Sequence, residues 1–223
     1  MIKSSGFHKL MAAFIVFISG MIICRIMYSG SFRFIFLLWN LFLAWIPYKI
    51  SLYLSLEKNI QKWQAGFLLA GWLLFFPNAL YIVTDLIHLN GRSKVPIWYD
   101  AVLLFTSAIA GLLMAFASLY KVELFFVKQI SRSATNKLIV LCLFVGSFGV
   151  YLGRFLRWNS WDIITNPLDL GKEIAVRFFF PVEYYHTWAI TLLFTSFFSL
   201  LYFTIKKLRV YGTPLNKDGD KDE

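Results

Sequence analysis

WYDAVLLFTSAIAGLLMAFASLY, residues 98–120, decides how this chain folds. A helix of that length crosses roughly 30 Å of hydrocarbon, and Asp100, Thr106, Ser107 and Ser118 are too few to give it a wetted face. Five further stretches read the same way: Leu10–Tyr28, Phe34–Leu56, Ala65–His88, Leu138–Arg157 and Thr187–Ile205. Of the 223 residues, 59% are apolar and 15% charged, against about 25% charged in an ordinary soluble domain, so the composition fits a bilayer as solvent. The stretch from Trp158 to His186 differs, mixing Asn159, Asp162, Asp169, Lys172, Glu173 and Arg177 with Phe178, Phe179 and Phe180. The expected fold is all-α: a polytopic membrane helix bundle of about six transmembrane helices, with one interfacial or re-entrant helix between the fifth and sixth. These form a single transmembrane domain over residues 1–211, followed by a disordered polar tail over 212–223.

Lys3 and Lys9 ahead of the apolar run resemble the start of a signal peptide. No small-x-small cleavage site follows, and Cys24 comes after the bulky Ile23, so the segment is read as the first span. Cys24 and Cys142 fall at opposite depths, too far apart for a disulfide, and read as small packing residues. Thirteen Lys and Arg residues flank one side of the spans, eight flank the other, and Lys49 lies inside a span, which accounts for all 22. The heavier side, which includes both chain ends, is expected in the cytoplasm. The net charge of +10 does not point to nucleic acid, because the cations sit at span ends and form no single stripe. Membrane lipids are the expected partners, with Lys206 to Arg209 against anionic headgroups; a protein partner or homo-oligomer is left open.

Ionisable groups at membrane depth are costly, so their helical register matters. At 100° per residue, Asn78, Tyr81, Asp85 and His88 fall within an arc of about 80°, a polar stripe on the third span. On the fourth, Asp100 shares a face with Ser107, Gly111 and Ser118. Arg33, Asn40, Ala44, Pro47 and Ser51 cluster on the second, and Gly146, Gly149, Gly153 and Arg157 on the fifth. Arg33, Asp85, His88, Asp100, Arg154, Arg157, Asn159 and Asp162 all approach the extracytoplasmic ends of their spans. Pro77 interrupts the third span, and Asn78 could bond a carbonyl freed there.

Each signal carries two readings. Asp85, His88 and Asp100 could serve as acid, base or ligands of a divalent metal. Alternatively, Asp85 and Asp100 pair with Arg154 or Arg157 and fix helix positions. Arg154 and Arg157 beside Trp158 and Trp161 form an aromatic belt with snorkelling cations, or a clamp for a phosphate or carboxylate headgroup. Asn78, Tyr81, Asn159 and Asp162 complete the candidate substrate-binding set, while His186, off the Thr187, Thr191 and Thr195 stripe, reads as interfacial.

FPNALYIVTDLIHL (76–89), Trp98-Tyr99-Asp100, the stretch from Arg154 to IITNP (163–167) and WNLFLAWIP (39–47) together resemble the bacterial integral membrane protein family catalogued as domain of unknown function 1361. The resemblance runs from about Phe34 to Tyr202 and implies a membrane fold in a bacterial plasma membrane, but no activity. Three function classes stay open: an enzyme acting on a lipid-linked or envelope substrate, a small transporter, and an assembly partner in a membrane complex.

Overall fold

The computed structural model describes residues 4–57, 59–89 and 94–211; the tail over 212–223 and Arg92 lie outside them. Eight α-helices and one 3-10 helix, and no strand, occur among the described residues: α1 Ser4–Ser29, α2 Phe36–Leu56, α3 Lys62–Tyr81, the 3-10 helix Ile82–His88, α4 Ile97–Val127, α5 Arg132–Phe155, α6 Asp162–Thr165, α7 Pro167–Phe179 and α8 Tyr185–Tyr211. Six segments are long and apolar enough to cross a membrane, with α3 and the 3-10 helix counting as one. The all-α bundle of six spans is thus the observed fold.

Packing follows the seams of small residues. α2 lies against both α3 and α4, α3 also packs on α5, α8 lies along α5, and α1 leans on α4. Ala44, Ser51, Ser107 and Ser118 are buried as their register requires. One node ties three helices: the Trp72 indole of α3 donates to Ser118 Oγ of α4 at 2.7 Å, and Ser118 donates to the Pro47 carbonyl of α2 at 3.0 Å. Without competing water, such bonds and close packing hold membrane helices together.

Gly111, Gly146 and Gly149 set how near α3 and the 3-10 helix can come to their neighbours. A Cβ on Gly149 of α5 would lie 2.5 Å from Cγ of the Pro77 ring, and one on Gly111 of α4 would lie 2.8 Å from Ile82 Cδ1. Any larger residue would push α3 and the 3-10 helix outward and pull apart the side chains they carry.

Three expectations are corrected. The fourth span does not stop near Tyr120 but continues to Val127, because Val122 and Glu123 remain on its buried face. The fifth helix ends at Phe155, so Arg157 does not share the glycine face; it takes φ 63°, and the chain turns there so that the Trp158 N–H reaches the Leu152 carbonyl at 3.1 Å. The single helix expected between the fifth and sixth spans is two. Pro167 opens α7 at a position where its missing N–H costs nothing, and it holds Asn166 away from helical geometry. α7 is fastened to α8 where Trp188 donates to the Arg177 carbonyl at 3.2 Å and meets Phe178 edge-on.

Candidate functional site

The polar end of α3 is built by its change of pitch. In a 3-10 helix, residues three apart eclipse and stand about 6 Å apart along the axis, so Asp85 and His88 line up toward α5. Arg154, in the last turn of α5, meets them with every nitrogen. Nη2 pairs with Asp85 Oδ1, Nε donates to Thr84 Oγ1 at 2.7 Å, and Nη1 lies 3.3 Å from His88 Nε2. Arginine has no acceptor, so His88 Nε2 must be the unprotonated ring nitrogen. The guanidinium also lies 4.1 Å from the Tyr81 ring centroid. The second Asp85 oxygen accepts from Asn40 Nδ2 at 2.8 Å. Asp85 is 1% exposed and Arg154 9%: the pair is closed on all sides. From the α1–α2 connection, Arg33 donates to the His88 carbonyl at 3.1 Å, capping the 3-10 helix.

Asp100 does not join this group. It forms a two-pronged pair with Arg25 of α1, Nε to Oδ1 at 2.8 Å and Nη2 to Oδ2 at 3.2 Å, at 2% and 1% exposure. Phe34 lies beneath the Arg25 guanidinium at 4.6 Å, and the neighbouring Tyr99 hydroxyl donates to the Met21 carbonyl at 2.8 Å. The pairing of Asp100 with Arg154 or Arg157 is therefore corrected: α1, not α5, stands beside the start of α4. Among the described residues no group of three His, Cys, Asp or Glu side chains is placed to hold a metal, so Asp85, His88 and Asp100 do not assemble into the alternative ligand set. Asp162, the first residue of α6, instead ties the turn before it to the helix, accepting from the Asn159 N–H at 2.6 Å and from Thr165 Oγ1 at 3.1 Å. Arg157 and His186 are exposed.

The remaining candidates meet around a cavity of about 480 Å³, a size suited to a small-molecule site. Trp39, Asn40 and Leu43 line it from α2; Leu73, Pro77, Asn78 and Tyr81 from α3; Phe148 and Leu152 from α5. The connection before α6 closes one end with Trp158, Asn159, Ser160 and Trp161, and α7 adds Leu170 and Ile174. That roof is latched: Asn78 Nδ2 donates to Ser160 Oγ at 2.8 Å and to the Phe75 carbonyl at 3.2 Å, while Ser160 donates to the Leu74 carbonyl at 3.0 Å. The carbonyl that Asn78 bonds is that of Phe75, not the Leu73 carbonyl that loses its partner to Pro77, so the expected bond to a freed carbonyl is corrected.

Sequence reading missed a further buried acid. Glu123, 3% exposed on α4, is bonded by Tyr202 and Lys206 of α8, so Lys206 is held by a carboxylate. An acid three residues past Tyr120 within a still apolar run was its only sequence signal. Arg177, paired with Glu173 and set against Tyr184, was likewise read only as an interfacial charge.

Fold and site together define a polytopic helical membrane protein whose buried charges are internally paired beside an interhelical cavity. Residues 39–201 match the family described as "Protein of unknown function (DUF1361)", and the chain belongs to that family. No curated protein and no solved structure matches it.

Proposed function

We propose that this protein binds a membrane amphiphile in the α2–α3–α5 cavity, with the polar end of the molecule under the α6 connection and its chain along the apolar wall. The observation that carries this reading is a ligand-sized cavity between spanning helices, lined mostly by apolar side chains, with Asn40, Asn78, Tyr81, Asn159 and Ser160 among its few polar ones. Exposed Trp39 and Trp161 stand at its rim, so a chain could enter from the lipid without crossing water. Both Asp85 oxygens and every Arg154 nitrogen are engaged, which supports a scaffolding role for them over acid–base chemistry.

The reading places the cavity on the extracytoplasmic side of a bacterial plasma membrane, with both chain ends in the cytoplasm. Of the eight cations on the cavity side, Arg25, Arg154 and Arg177 are buried in ion pairs. They do not count as loop charges, and the bias of Lys and Arg toward the opposite side grows accordingly. A reporter enzyme active only outside the cytoplasm, inserted after Gly171, is expected to be active; an inactive fusion made at normal levels would reverse the orientation.

The cavity itself is tested by lipid retention. Native mass spectrometry of the protein in mild detergent is expected to show a lipid that survives washing. Leu73→Trp/Leu152→Trp, which narrows the cavity, is expected to lose that lipid while eluting as a folded species. Equal retention by the variant, or a wild-type protein that washes free of lipid, would remove the reading.

A further inference from the structure

The chemistry of the cavity lining is more selective than its shape. It includes no Lys, Arg, His, Asp or Glu, although Asp85, Arg154 and His88 lie one side chain away. A phosphate brought into such a site would leave water without meeting a cation, a large penalty. Arg154, which lies against the Tyr81 ring, cannot turn to meet it, because it is held by Asp85, Thr84 and His88.

The polar groups that do line the cavity are neutral, and their hydrogen-bond sense is set by the protein. Asn40 turns its Nδ2 to the Asp85 carboxylate and Asn78 turns its Nδ2 to the Phe75 carbonyl. Since both partners only accept, the amide orientations are fixed by the network. The oxygens of both amides are therefore the atoms left over. No hydrogen bond to either oxygen occurs among the described residues, and both residues line the cavity. Two unspent acceptors call for a ligand that donates. A phosphodiester has no donor, and an acyl chain has neither donor nor acceptor. The Tyr81 hydroxyl can serve either way. Around this group stand three indoles, Trp39, Trp158 and Trp161, whose flat faces suit the C–H face of a sugar ring and whose N–H groups donate to its oxygens.

We infer that the cavity selects an uncharged, hydroxyl-rich headgroup carried on an apolar chain, a glycosyl lipid being the fitting class, and discriminates against phosphate-bearing lipids. This rests on the amphiphile-binding reading above. Asn40 and Asn78 would accept from ligand hydroxyls, and Tyr81 with the indoles would position the ring.

The test compares three lipids with identical acyl chains (a monoglucosyl diacylglycerol, a phosphatidylglycerol and the parent diacylglycerol) for binding to the delipidated full-length protein in nanodiscs of a phosphatidylcholine. Tryptophan fluorescence and thermal stabilisation are the readouts. The glucosyl lipid is expected to bind about tenfold or more tighter than either of the others, a difference of one good hydrogen-bonding group or more. Tyr81→Phe, which keeps the ring against Arg154, is expected to lose a several-fold part of that preference without lowering the melting temperature. Phosphatidylglycerol binding as well as the glucosyl lipid would overturn the headgroup assignment and leave the cavity reading intact. So would diacylglycerol binding equally well, since the chain alone would then be recognised. Binding of none of the three would overturn both.

Discussion

Arg154→Ala is expected to cost about 3–5 kcal/mol of stability, the range for removing one member of a buried pair. The loss comes less from the missing attraction than from what is left behind. Asp85, at 1% exposure, would keep only Asn40 as a partner, and an uncompensated carboxylate at that depth is among the most expensive arrangements a membrane helix can carry. Thr84 and His88 would lose their shared donor and Tyr81 its stacked cation. Arg154→Lys should recover part of the loss, because a single ammonium can face Asp85 but cannot also span Thr84 and His88. Reversible unfolding in detergent, or the fall in melting temperature against a set of lipid-facing controls such as Leu193→Ala, measures the effect. A loss below about 1 kcal/mol would mean that Asp85 already has another means of compensation, and the closed-pair description would be wrong.

How far these arrangements could be read from sequence depends on which geometric rule governed each segment. Where the helix is α, the 100° rule placed side chains well: Ala44 and Ser51 on α2, and Ser107 and Ser118 on α4, are all buried. Over residues 82–88 the same rule also put Asp85 and His88 on one face, and both do meet Arg154; what it did not show is that the segment winds three residues to the turn, which draws the two onto one line. Nothing in IVTDLIH declares that pitch; it belongs to a segment pressed against Gly111 of α4. Arg157 was placed on a helical face that ends two residues before it. The pairing of acids with arginines was half legible. Asp85 did find Arg154, but register says only which way a residue points within its own helix, never which helix stands opposite. Arg25 was therefore counted as a topology-setting charge when it is Asp100's partner. The cavity was the least legible feature, since its polar wall needs α2, α3, α5 and the turn before α6 together.

This division explains why the most eye-catching residues of the sequence are not those that face the cavity. Charges inside a bilayer must be neutralised by neighbours before anything else, and Asp85, Arg154, Asp100 and Arg25 are consumed in doing so. Groups that can afford to be left partly unsatisfied are neutral ones. Asn40 belongs to both sets: its amide nitrogen serves the ion pair, and the residue also lines the cavity.

The second large effect is expected at Arg25 and Asp100, and it separates a scaffolding pair from a working one. Arg25→Ala alone, or Asp100→Ala alone, should cost about 3–5 kcal/mol, since each strands a charge that is almost wholly buried. Replacing both with apolar residues of similar bulk, Arg25→Met with Asp100→Leu, should restore most of that stability and can exceed the wild type by about 1–4 kcal/mol, because neither desolvation cost then has to be met. The guanidinium lies over Phe34, so methionine also retains a favourable contact with the ring. The double variant is expected to bind lipid unchanged, as neither residue lines the cavity. Melting temperature and lipid retention measured on the four proteins together give the coupling between the sites. If the double apolar variant is no more stable than the single ones, the pair does more than hold α1 to α4. If it is stable but has lost its lipid, α1 must shape the cavity from a distance, and the separation of paired charges from binding surface would not hold.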